Sequence, residues 1–118
     1  MAVAASDTVV LSGDDVSRFA TLRNVAIKNG EVSGEIVNNS RDTLRDVVLE
    51  ISYSWRWTDE FRPGKDDPGI TVYHTAAKEI PPGGAARFEY KPLPPLASRR
   101  DGSFVIDVKI AGFERVYR

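Results

Sequence analysis

The chain has no cysteine and one histidine. The first absence excludes disulfides, thiolate chemistry and cysteine-type zinc sites. It leaves the compartment open, because exported proteins without cysteine are common. The second leaves His74 as the sole imidazole, so a histidine-based metal site would need carboxylates for every other ligand. A single His on a strand is expected to be structural rather than catalytic. Charge of one sign is not in excess either. Sixteen basic and 17 acidic residues give a net charge of −1, and no basic cluster exceeds the pair Arg99–Arg100. The electrostatic footprint of a nucleic-acid binder is therefore missing. No apolar run approaches the roughly 20 residues of a spanning helix, so membrane insertion by helix is not expected. No Gly-x-Ser-x-Gly elbow and no Gly-rich phosphate loop before a helix occurs. This inventory leads to the expectation of a protein that is not an enzyme and carries no cofactor.

What is present is an ordinary globular composition, 42% apolar and 28% charged over 118 residues, enough for one domain with its own core. The dominant pattern has period two. Val47, Leu49, Ile51, Tyr53, Trp55 and Trp57 alternate with Val48, Glu50, Ser52, Ser54, Arg56 and Thr58. Side chains alternate across a strand, so this is a strand over Leu44–Trp57 with one buried and one wet face. Val25 to Ile27 runs into Asn29-Gly30, and Val32, Gly34 and Ile36 alternate after it. Asn-Gly between such runs predicts a hairpin, because both central residues of a type I′ turn need positive φ.

Residues 38–42 read as a second turn, 59–69 as a charged loop with two prolines and two glycines, and 81–84 as a tight connection. Strands are expected at Ile70–Lys78, Ala86–Tyr90 and Phe104–Ile110. A turn at Ala111-Gly112 would precede a last strand from Phe113 to Tyr117. Pro92 to Pro95 reads as an extended connector. A short strand is conceivable at Thr8–Leu11, and a single helical turn within Gly13–Ala20, capped by Asp14 or Asp15.

The expectation is an all-β fold, a two-sheet antiparallel β-sandwich of about seven strands, immunoglobulin- or fibronectin-III-like. Residues 19–118 form the single domain, and 1–18 an N-terminal segment, partly disordered or a short edge strand. The expected core is Val25, Ile27, Val32, Ile36, Leu44, Val47, Leu49, Ile51, Tyr53, Phe88, Tyr90, Phe104, Ile106 and Val108.

The stretch Val32-Ser-Gly34-Glu-Ile36-Val-Asn38-Asn39-Ser40, followed by Leu44, Val47 and Leu49, resembles the opening of the bacterial FxLYD-type domains. Ile80-Pro-Pro82-Gly83-Gly84 leading to Phe88 resembles their Pro-Gly strand start. The resemblance covers roughly residues 20–110. The aromatic–Asp signature of that family is not matched, and Ile51-Ser-Tyr53-Ser-Trp55 stands near its position. The resemblance implies a small sandwich module of an exported or membrane-anchored bacterial protein, used for binding or spacing. Val3-Ala4-Ala5 has the small-residue look of a signal-peptidase site. That pattern fits an extracytoplasmic protein of periplasm or envelope, and equally an Ala-rich terminus of a cytoplasmic one.

Functional candidates concentrate at the end of the long strand. Val47 to Trp57 spans roughly 33 Å at the rise of a strand, against about 17–20 Å for a typical one. Trp57 is therefore expected at or beyond the rim, with Trp55, Arg56, Phe61 and Tyr73 as the other candidate binding residues. Such a rim cluster can anchor a protein partner or stack on a glycan. Alternatively, loop 59–69 folds back and covers it as a satellite cluster. Asp59, Glu60, Asp66 and Asp67 share that loop and are weak candidates for calcium. Arg56, Arg62 and Lys65 neutralise the same stretch, and a solvated loop tip is the simpler reading.

Three functions remain: a non-catalytic interaction or spacer module, a calcium-assisted carbohydrate-binding module using Trp55, Trp57 and Tyr73, and an accessory domain of an enzyme. The strand ending the chain could pair in trans, but Arg115 and Arg118 would blunt that edge, so a monomer is expected.

Overall fold

The computed structural model describes residues 6–7, 14–96 and 98–116. In chain order the elements are β1 (Ser6–Asp7), α1 (Asp14–Ser17), β2 (Ala20–Lys28), β3 (Glu31–Asn38), β4 (Thr43–Trp57), β5 (Ile70–Ile80), β6 (Ala85–Tyr90) and β7 (Gly102–Val116). All strand pairs are antiparallel. One sheet has the order β1-β7-β4-β5 and the other β2-β3-β6. The chain is therefore an all-β, two-sheet antiparallel sandwich, with six substantial strands and the two-residue β1. The Thr8–Leu11 strand, Arg118 and the end of the last strand at Tyr117 lie outside the described residues.

The alternation along β4 does what its sequence dictates. Leu44, Val47, Leu49, Ile51, Tyr53 and Trp55 are all buried, while Glu50, Ser52, Ser54 and Arg56 are not. Leu44 is out of phase with the odd-numbered row. A register shift between Arg45 and Val48, with Asp46 at φ 49°, restores it to the core. This bulge faces a second one on β7. Val48 pairs with Gly112, whereas Leu49 pairs with Ile110, so Ala111 is the extra residue.

That geometry corrects the expected turn at Ala111-Gly112. The chain does not reverse there but continues as one strand, and the bulge flips its phase so that Ile110 and Phe113 both face inward. It also accounts for six substantial strands where seven are expected. The Asn29-Gly30 hairpin is as expected, with φ of 52° and 83°.

Val32, Ile36, Leu44, Val47, Leu49, Ile51, Tyr53 and Phe88 are buried in the core, with Tyr90, Phe104, Ile106 and Val108 packed partly against it. Val25 and Ile27 depart from expectation. They are 39% and 44% exposed, on the edge strand of the three-stranded sheet. Val16, Ala20, Ile80, Ile110 and Phe113 join the core unanticipated. Phe19 packs edge-on against Phe113, and Arg115 lies over the Phe19 ring while hydrogen bonding Asp42.

One end of the sandwich is fixed by Asn38, which is fully buried. Its Nδ2 donates to the carbonyls of Asp42, Ile80 and Pro81 at 2.8, 3.0 and 3.1 Å. Its Oδ1 accepts from the Ser40 amide and hydroxyl. Turn 39–42 and the β5–β6 junction are thereby tied to β3. The opposite end carries the hairpin turn at 29–30, loop 58–69 and connector 91–101 together.

Candidate interaction site at the loop end

Connector 91–101 is laid over the hairpin turn. A side chain at Gly30 would come within 2.7 Å of Leu96 Cδ1 and 3.4 Å of Pro92. Beneath that contact the Tyr53 hydroxyl donates to the Gly30 carbonyl at 2.9 Å. Burial pushes the Tyr53 phenol up to about 12, with neighbouring Tyr90 adding to the rise. The folded state therefore keeps a proton that the unfolded chain releases near its ordinary value of 10.0. Tyr53 supports stability fully below pH 10, and that support is lost as pH rises towards about 12. We expect alkaline denaturation curves to fall more steeply over that window in the parent than in Tyr53→Phe. Equal slopes would contradict the assignment.

The rim aromatics are tied to both loops by Arg99. Its guanidinium lies 5.0 Å from the Trp55 ring centroid and 5.5 Å from that of Trp57. The same group grips the Asp101 carboxylate with Nε and Nη2 at 3.0 and 2.6 Å, and Nη1 donates to the Asp66 carbonyl. These hydrogen bonds hold the Asp101 carboxyl below the usual carboxylate range. The Thr58 amide closes the arrangement by donating to the Asp101 carbonyl at 2.9 Å. Gly64 lies flat on Trp57, where a Cβ would approach the ring to 2.8 Å. Trp55 packs edge-on to Trp57 and Phe104. Its buried Nε1 finds no acceptor among the described residues.

The five candidate binding residues are thus dispersed. Trp55 is 8% exposed and belongs to the packing of the end. Trp57 is half-buried under loop 58–69 and Arg99. Phe61 is 96% exposed at the loop tip, away from the Trp pair. Tyr73 stands on the outer face of β5, donating to Glu50 at 3.0 Å, and Arg56 is exposed on the outer face of β4. Trp55, Trp57 and Tyr73 do not form a common stacking platform. Two of the four loop carboxylates are engaged in local turns: Asp59 accepts from the Phe61 amide and Asp67 from the Gly69 amide. Among the described residues no group of three or more His, Asp or Glu side chains could hold a metal ion. His74 faces inward beside the Tyr90 ring at 5.1 Å.

The two loops enclose a different feature. A pocket of about 350 Å³ opens between residues 67–70 and 92–96, with Tyr53, Tyr90 and Phe104 in its lining. Leu93, 89% exposed, stands at its mouth. The sequence reads here as an extended connector, with no binding role expected of it. The available signal was an apolar pair, Leu93 and Leu96, set among prolines that bar them from a strand core. The Arg99–Asp101 pair carried no signal, since the other groups it engages lie more than thirty residues away on β4 and its loop. No protein-family model, curated protein or solved structure matches the chain.

Proposed function

We propose that the chain is a non-catalytic protein-interaction module, and that its recognition surface is the loop end rather than the Trp57 face alone. One observation carries this reading: Leu93 is exposed at the mouth of an apolar pocket built by two loops that Arg99 holds in fixed relation. An exposed aliphatic beside a preformed apolar pocket fits an extended protein segment that inserts a side chain between the loops. Preorganisation lowers the cost of binding, because the loops do not have to be ordered at that moment. The elongated body, with extents of 59 × 25 × 23 Å, suits a module that presents this end at a distance.

The resemblance to FxLYD-type modules supports an immunoglobulin-like binding or spacing role in a bacterial extracytoplasmic protein. The strand order fits it too: β7, β4 and β5 lie in one sheet and β2, β3 and β6 in the other. The calcium-assisted glycan reading draws less support, given the separated Trp55, Trp57 and Tyr73 and the engagement of Asp59 and Asp67 in turns.

A random linear-peptide display library selected on the immobilised protein tests the proposal. We expect enrichment of apolar or aromatic anchored sequences that are lost on a Leu93→Glu variant with an unchanged melting curve. Selection that fails, or that proceeds equally well on Leu93→Glu, would overturn it.

A further inference from the structure

Among the described residues the outer edge of β7 is open along most of its length, where a sandwich would be expected to close. One edge of β7 is bonded to β4 along most of its length. Among the described residues the other meets only β1, at Arg115 and Val116. Nothing among the described residues pairs that edge from Gly102 to Gly112. The inward row shows the consequence. Ile51 and Tyr53 on β4 are buried, yet their β7 partners Val108 and Ile106 are not. Across the gap, inward-facing Ile27 of β2 is 44% exposed. A trough of about 550 Å³ opens beside this edge, lined by Val16, Ala20 and Leu22 and by Val108, Lys109 and Ile110, and it reaches Glu50 and Tyr73.

The edge of β2 is blunted. β2 carries an irregularity between Arg23 and Ala26, with Asn24 at φ 54°. From Gly102 to Ile110, β7 has no bulge, no proline and no inward-pointing charge. Arg115, expected from sequence to protect this edge, is turned onto Asp42 and Phe19 instead. An edge left this way is a template for another strand.

We propose that the strand it takes is β7 of a second copy of this chain, paired antiparallel about Val108. Directly paired residues share a face, so only registers that keep the inward row inward are allowed. Within that set, centring on Asp107 or on Lys109 would oppose like charges. Centring on Val108 pairs Asp107 with Lys109 of the partner subunit, twice by symmetry, and Ile106 with Ile110 of the partner subunit. The segment Ile106-Asp107-Val108-Lys109-Ile110 has the same pattern of apolar and charged positions read against itself, with complementary signs. Among the described residues Asp107 has no ion-pair partner, and Lys109 Nζ lies 3.0 Å from Glu50. The paired sheets would carry an alternating row of Glu50, Lys109 and Asp107 of the partner subunit across the junction. On the inner face, the partner's Ile106 would fall beside Ile110 and fill the trough.

Because the chain has no cysteine, cross-linking tests the register cleanly. Asp107→Cys and Lys109→Cys are exposed outer-face changes, and unchanged melting curves would verify their folds. Oxidation of the two variants mixed should give a disulfide dimer, while either alone should cross-link about tenfold more slowly, since its own thiols sit on the diagonal. Light scattering on the parent should show a dimer, and Asp107→Lys a monomer. A parent that stays monomeric at every concentration overturns the proposal. So do single variants that cross-link as fast as the mixture.

Discussion

Asn38→Asp is expected to destabilise the fold by at least about 3 kcal/mol. The substitution is nearly isosteric, but it replaces the one donor that faces three carbonyls with a second acceptor. The carbonyls of Asp42, Ile80 and Pro81 would lose their shared partner in a fully buried site. A carboxylate there would also be repelled by their oxygens and stripped of water. A thermal melt followed by circular dichroism should show a fall of about 10–15 °C at neutral pH. Acidification should recover part of the loss, because a protonated carboxyl can again donate one hydrogen bond. A fall below about 3 °C would mean that the Asn38 network does not hold this end together.

Gly102→Ala should cost about 1–3 kcal/mol through crowding alone. A Cβ at this position would lie 2.6 Å from the Trp55 ring atoms Cε2 and Cζ2 and press on the Arg56 carbonyl. Neither neighbour can swing away, because Arg56 contributes backbone and Trp55 is wedged between Trp57, Phe104 and Arg99. The indole must shift, so Trp fluorescence should change together with stability. Gly83→Ala supplies the contrast. No atom lies within 4 Å of the added methyl group there, and only the φ of +72° is unfavourable, at about 1 kcal/mol. Equal losses at Gly83 and Gly102 would contradict the close packing assigned to the loop end.

Much of the architecture was legible because β4 alternates without interruption for eleven residues and its neighbours share that period. Asn29-Gly30 marked its hairpin through the conformation its backbone requires. The misreading at Ala111-Gly112 has a physical source. A bulge and a turn both break the period, and both favour glycine, so local sequence does not separate them. What separates them is the opposing irregularity at Asp46, visible only once β4 and β7 are paired. Val25 and Ile27 were assigned to the core by residue type, but they lie on the edge strand of their sheet, and no local pattern reports that.

The site was legible in location and not in composition. Strand length placed Trp57 at the rim of the sandwich, and loop 58–69 does fold back onto it through Gly64. The clamp that secures it comes from Arg99, supplied by a connector distant in sequence. Phe61, grouped with the tryptophans as a chain neighbour, and Tyr73, grouped with them as a residue of the following strand, point elsewhere. Leu93, beside the pocket, is a further exposed apolar residue at this end.

The most direct measurement is amide chemical-shift mapping of the isotopically labelled protein titrated with an apolar peptide enriched by display. The account predicts perturbations confined to residues around the pocket, at Tyr53, residues 67–70, Tyr90 and residues 92–96, and their loss in Leu93→Glu. Perturbations centred on the outer face of β4 and β5, or on the edge of β7 with the pocket unmoved, would contradict it.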